Sequence, residues 1–205
     1  MGTVPLLTRE GEVEIATRIE RGKNRVLSSV ARTNMSAFEV ARLGERLAAR
    51  EINVRDAVIF VEEEITEETV EAKIRQTLKL IGKVAAAHHD YLAYRRHFVK
   101  LDRKSRRYVK GKWRLGRLRI GTSKAIRRIE LSEAFKRRLV ERVREAVERI
   151  ERSREKIGRL EPKLKRDVSD EYKKQIRQMI REQKRALETL REEYDARPEE
   201  ILRTM

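Results

Sequence analysis

From Thr8 to Tyr194 the apolar residues recur three or four positions apart, and this period decides the fold class. Val70, Ile74, Leu78, Ile81, Ala85 and Leu92 keep it for about seven turns, and Tyr91, Tyr94 and Phe98 extend it. Phe135, Leu139, Val143, Val147, Ile150, Ile157 and Leu160 hold a near-heptad version as far as Pro162. Tyr172, Ile176, Met179, Ile180, Leu187, Leu190 and Tyr194 form a third stripe. Such spacing gathers apolar side chains on one face of a helix, where a strand would need alternation. The one strand-like run is Ala57-Val-Ile-Phe-Val61, which has no partner strand and reads as a helical turn or a loop. The expected fold is all-α: long antiparallel helices with a basic, partly irregular middle segment.

Helix starts are marked by residues that satisfy orphan N–H groups. Thr8, followed by Glu10 and Glu12, reads as an N-cap with carboxylates at the positive end of the dipole. Val13, Ile15, Ala16, Ile19, Val26, Leu27, Val30 and Ala31 carry that helix to about Thr33. Ser36-Ala-Phe-Glu39 has the capping-box pattern, with Phe38, Ala41, Leu43 and Leu47 as the apolar face behind it. Thr66, Ser132 and Ser169 open the three long stripes, and Pro198 suits the first position of a short final turn. The stripes Ser132–Leu160 and Ser169–Tyr194 are expected to pack antiparallel across a turn at Pro162–Asp167, since short connections favour antiparallel neighbours.

Charge is unevenly placed. The chain of 205 residues is 41% charged, and its 51 Lys and Arg against 34 Asp and Glu leave +17. Glu51 to Glu71 holds eight carboxylates and one Arg, whereas Arg95 to Arg128 holds fifteen Lys and Arg against Asp102 alone. That block, the basic segment 95–128, calls for a polyanionic partner. Gly111, Gly116 and Gly121 recur within it, each costing a helix roughly 1 kcal/mol relative to Ala; hence the expectation of irregular structure. Arg106, Arg107, Lys110, Lys112, Trp113 and Arg114 are the candidate nucleic-acid contacts, with cations for phosphates and an aromatic plane for an unpaired base. Trp113 could equally anchor this arm on the helical body together with Leu115, Leu118 and Ile120.

Other chemistries find little support. The chain has no cysteine, which removes disulfides and thiolate sites and fits the cytoplasm. No apolar window is long enough to span a membrane, and the first seven residues lack the charged region of a signal peptide. His88 and His89 are adjacent and point about 100° apart on a helix, and His97 lies two turns on, so no metal set forms. Gly116-Arg-Leu-Arg-Ile-Gly121 lacks the Lys-Ser/Thr of a phosphate loop. The reading is a protein that is not an enzyme, with no cofactor, no metal, no small-molecule substrate and no membrane partner.

The most specific pattern opens the chain. Met1-Gly-Thr-Val-Pro-Leu-Leu-Thr-Arg-Glu-Gly-Glu-Val-Glu-Ile-Ala-Thr-Arg-Ile-Glu-Arg-Gly22 resembles region 1.2 of bacterial primary sigma factors of the sigma-70 family. The family pattern is Gly-x-Val-x-Leu-Leu-Thr-x-Glu-x-Glu-x-x-Ile/Leu-Ala-x-x-Ile-Glu-x-Gly. It is carried here by Gly2, Val4, Leu6, Leu7, Thr8, Glu10, Glu12, Ile15, Ala16, Ile19, Glu20 and Gly22. Leu131-Ser-Glu-Ala-Phe-Lys-Arg-Arg-Leu-Val140 and Tyr194-Asp-Ala-Arg-Pro-Glu-Glu-Ile-Leu-Arg-Thr-Met205 are similar to parts of the family's non-conserved region. The resemblance implies a division into residues 1–33, the region 1.2-like helix, and residues 34–205, a helical insert like the one before region 2.1. It implies transcription initiation as the function, and core RNA polymerase (at its clamp) and promoter DNA as partners. It also implies a fragment, because region 2, with its −10-element aromatics and clamp contacts, has no counterpart here. Inserts of some relatives are strongly acidic where this one is basic. A free-standing basic helical nucleic-acid-binding protein is the alternative that charge alone suggests.

Overall fold

The computed structural model describes residues 8–60, 66–164, 169–194, 196 and 198–202. Over these residues the chain forms α1 (Arg9–Val30), α2 (Asn34–Ala48), α3 (Val54–Ala57), α4 (Glu67–Phe98), α5 (Arg106–Arg127), α6 (Glu133–Leu164), α7 (Asp170–Tyr194) and α8 (Pro198–Leu202). The fold is all-α, as the periodicity requires. Among the described residues no helix is long and apolar enough to cross a membrane.

The centre is α2. Met35, Val40, Leu43 and Leu47 are almost wholly removed from solvent, and they meet Ile81 and Val84 of α4 and Leu139, Val143 and Ile150 of α6 in one cluster. Gly44 lets α4 come close, since a Cβ there would stand 2.8 Å from Cγ2 of Ile81. Leu190 and Tyr194 of α7 and Ile201 of α8 close the cluster from the other side. Beyond it the α6–α7 pair continues on its own stripe, with Ile176, Ile180 and Ser153 buried. The antiparallel pairing of these two stripes is present, but α6 runs two residues past Pro162 rather than ending at it.

Caps fix the corners. Thr8, Thr66 and Ser132 act as expected: Thr8 accepts the Gly11 N–H, Thr66 and Thr69 exchange a reciprocal capping box, and the Ser132 hydroxyl accepts from Phe135 N–H. The Ser36 assignment is corrected. The cap of α2 is Thr33, whose hydroxyl oxygen accepts the Ser36 N–H at 3.2 Å, while the Ser36 hydroxyl is buried and donates to the Val30 carbonyl at 2.8 Å. Arg50 follows α2 at φ 57°, a left-handed turn that returns the Glu51 N–H to the Arg46 carbonyl at 2.9 Å. Of the strand-like run, Ala57 ends the single turn α3, Val58 forms an isolated antiparallel bridge with Leu131, and Val61 lies outside the described residues. Ile59 N–H donates to Glu130 at 2.7 Å and Ser132 N–H to Ala57 at 2.9 Å, so the bridge fixes the start of α6.

The expectation of a partly irregular basic segment is corrected in its larger part. Only residues 99–105 and Arg128 depart from helix, and Arg106–Arg127 is one uninterrupted helix with all three glycines inside it. Packing overrides local propensity here. Gly111 is buried where α5 meets Phe98 and Tyr94 of α4, and Thr122, Ser123 and Ile126 bury the same face lower down.

Candidate nucleic-acid interface

With Gly111, Thr122, Ser123 and Ile126 turned inward, the helical period settles where the charged residues of α5 go. Arg107, Lys110, Arg114 and Arg117, spaced three, four and three apart, line an open groove of about 530 Å³ together with Tyr94, His97 and Leu101 of the α4 end. The Arg114 guanidinium lies 4.6 Å from the centroid of the Tyr94 ring, a cation–π contact that orients it along the groove. Phe98 and Tyr108 stack at 4.8 Å beneath and hold the tip of the hairpin together. Arg106 and Trp113 stand on the outer flank beside Lys110 and Arg117. Lys112 lies about 200° round the helix from Lys110 and faces another side.

Five of the six candidates thus share one surface, and Lys112 does not. Trp113 is 73% exposed, so it does not anchor the arm; Leu115 and Leu118, both half-buried, do that instead. Arg117, Tyr94 and His97 complete the groove and were missed in the sequence. Stepping from Arg107 at helical spacing would have found Arg117, whereas the α4 residues needed the tertiary contact.

The electrostatics of α5 differ from those of its neighbours. It carries nine Lys and Arg and no carboxylate. Among the described residues none of the nine pairs with an acid: Arg119 donates to the Arg32 carbonyl at 2.8 Å, Arg127 to the Ser28 hydroxyl at 3.2 Å, and Arg114 lies on Tyr94. On α6 and α7 the cations meet acids one turn away, as in Lys136–Glu133 at 2.8 Å, Arg152–Glu148 at 2.9 Å and Arg191–Glu188 at 2.9 Å. The first turn of α5 has Arg106 and Arg107 where a helix favours acids. Only its last turn, with Lys124 and Arg127, carries charge that suits the dipole, and no neighbour requires the glycines at 116 and 121.

The histidines are not gathered. His88 is buried with Phe38 edge-on at 5.2 Å and Tyr91 stacked at 6.2 Å, whereas His89 is exposed beside Asp90. Among the described residues no three His, Asp or Glu side chains come together in a way that could hold a metal ion.

A second surface lies on α1. Gly2, Val4, Leu6 and Leu7 fall outside the described residues. Thr8 caps the helix, Glu10 and Glu12 occupy its first turn, and Ile15, Ala16, Ile19, Glu20 and Gly22 follow, all exposed. Ile15, Ile19, Val26 and Val30 form one stripe at helical spacing. Its C-terminal end, Val30, is buried in the core, while Val26, Ile19 and Ile15 are 47%, 54% and 45% exposed. The stripe leaves the core over a cleft of about 450 Å³ floored by Val26, Leu27 and Val140, with Lys23 reaching Glu133 at 3.9 Å, and continues into solvent. Among the described residues nothing covers the exposed part of this stripe. Residues 1–25 match the family profile described as Sigma-70 factor, region 1.2, and the later part of that match lies on the exposed half of α1.

Proposed function

We infer that this chain works in transcription initiation as a non-catalytic, sigma-70-type factor or part of one, in the bacterial cytoplasm. Its partner is core RNA polymerase, bound at the clamp, with promoter DNA as the second contact. Residues 1–33 act as the region 1.2 element, and residues 34–205 act as the helical non-conserved region that follows it. The observation that carries this reading is the region 1.2 match, whose helix presents Ile15 and Ile19 to solvent. Region 1.2 in isolation could be a spacer, but an apolar stripe of this length in water favours a covering partner.

The test is co-migration. The chain is mixed with core RNA polymerase and passed over a size-exclusion column. Co-elution at near-equal stoichiometry supports the reading, and elution of all the chain at its own volume overturns it. A polymerase-independent nucleic-acid-binding protein is the second reading, favoured by the nine acid-free cations of α5. It predicts salt-sensitive binding to nucleic acid with no co-elution.

A further inference from the structure

We propose that the outer face of α5 is a binding site for single-stranded nucleic acid, with Arg106, Lys110, Arg114 and Arg117 along the phosphates and Trp113 stacked on an unpaired base. This rests on α5 and the end of α4 alone and stands whether or not the chain binds polymerase.

Three observations meet here. The first is charge without compensation: no α5 cation pairs with an acid among the described residues, so bound anions displace only water and counterions. The second is geometry. The residues follow one helical face, and from Arg106 to Lys124 the ridge runs about 27 Å, enough for several nucleotides. The groove lined by Arg107, Lys110, Arg114 and Arg117 runs beside it, and Tyr94 holds Arg114 in place. The third is the indole. Trp113 is 73% exposed at the outer edge of this cationic face, an arrangement that leaves a large apolar plane wet. On the helix surface Arg106, Lys110 and Arg117 flank it on one side, while Val109 and Ile120, 54% and 44% exposed, lie on the other.

An aromatic plane among cations suits a strand whose bases are free. In a duplex the base faces are already stacked, so cations alone would act and Trp113 would add nothing. An acidic protein surface would likewise engage the cations and leave the indole idle.

Trp113 is the sole tryptophan of the chain, so its fluorescence reports on the site directly. The full chain is titrated with a 20-nucleotide oligo-dT, with a matched duplex, and with polyglutamate of similar charge. We expect oligo-dT to quench Trp113 and to bind more tightly than the other two. Trp113→Ala should weaken oligo-dT binding about tenfold, and Trp113→Phe should restore most of it, because stacking needs a ring and not the indole N–H. Lys110→Gln with Arg117→Gln should lower the slope of log K against log salt by about 1.4, near 0.7 per lost phosphate contact. All these side chains are exposed, so an unchanged helical circular dichroism signal confirms that each variant is folded. Absence of quenching, equal quenching by duplex or polyglutamate, or Trp113→Ala binding as tightly as the parent would each overturn the proposal.

Discussion

A Cβ built on Gly111 would stand 2.8 Å from Cδ2 of Phe98, with the Tyr94 hydroxyl at 3.2 Å, so α4 and α5 meet where a side chain is missing. The Phe98 ring cannot simply swing aside, because it stacks on Tyr108. Gly111→Ala gains roughly 1 kcal/mol of helix propensity but forces an overpacked contact costing about 1–3 kcal/mol, so a net loss near 1 kcal/mol is expected. Gly116 has open space around it, and Gly116→Ala should raise stability by about 0.5–1 kcal/mol. Urea denaturation of the two variants checks both signs.

The α6 stripe supplies the largest share of the shared core. Leu139 and Ile150 are fully buried between α2, α6 and their neighbours. Leu139→Ala or Ile150→Ala should each cost about 2–5 kcal/mol, the usual transfer and cavity loss for a buried aliphatic residue. Met179, on the outer side of α7 and half-exposed, should tolerate Ala with a change under about 0.5 kcal/mol. Similar melting temperatures for Leu139→Ala and Met179→Ala would contradict this placement of the core.

Tyr194 makes stability sensitive to alkali. Its burial, aided by the adjacent Glu193 carboxylate, pushes its phenol up to about 12. The unfolded chain ionises near 10. A group whose folded value is raised contributes stability that is complete below pH 10 and falls away as pH rises towards 12. Unfolding measured from pH 9 to pH 12 should show this decline in the parent, and Tyr194→Phe should flatten that part of the curve. An identical decline in both proteins would assign the effect to other groups.

Much of the architecture was legible because it follows from side-chain period and caps. The stripe from Val70 to Phe98, with Thr66 as its cap, defines α4 to within a residue, and Ser132 marks the start of α6. The errors came where a distant contact decides. Ser36 carries a capping-box pattern, but Thr33 takes the cap and frees the Ser36 hydroxyl to bond the Val30 carbonyl. Three glycines in five-residue steps argue locally against helix, and only the packing of α4 on Gly111 reverses that argument. The candidate interface was half legible. The cations and Trp113 are visible as residues, but the groove needs Tyr94, twenty positions before Arg114, and no local pattern joins them.

If the open stripe of α1 docks the chain on core RNA polymerase, as proposed, Ile15 is its most direct probe. Ile15 is 45% exposed, so Ile15→Asp should shift stability by no more than about 0.5 kcal/mol. Labelled chain is titrated with core RNA polymerase and followed by fluorescence anisotropy, with a thermal melt of each protein alongside. The account predicts saturable binding by the parent and at least about tenfold weaker binding by Ile15→Asp at an unchanged melting temperature. No saturable binding by the parent, or equal affinity of the two proteins, would contradict it.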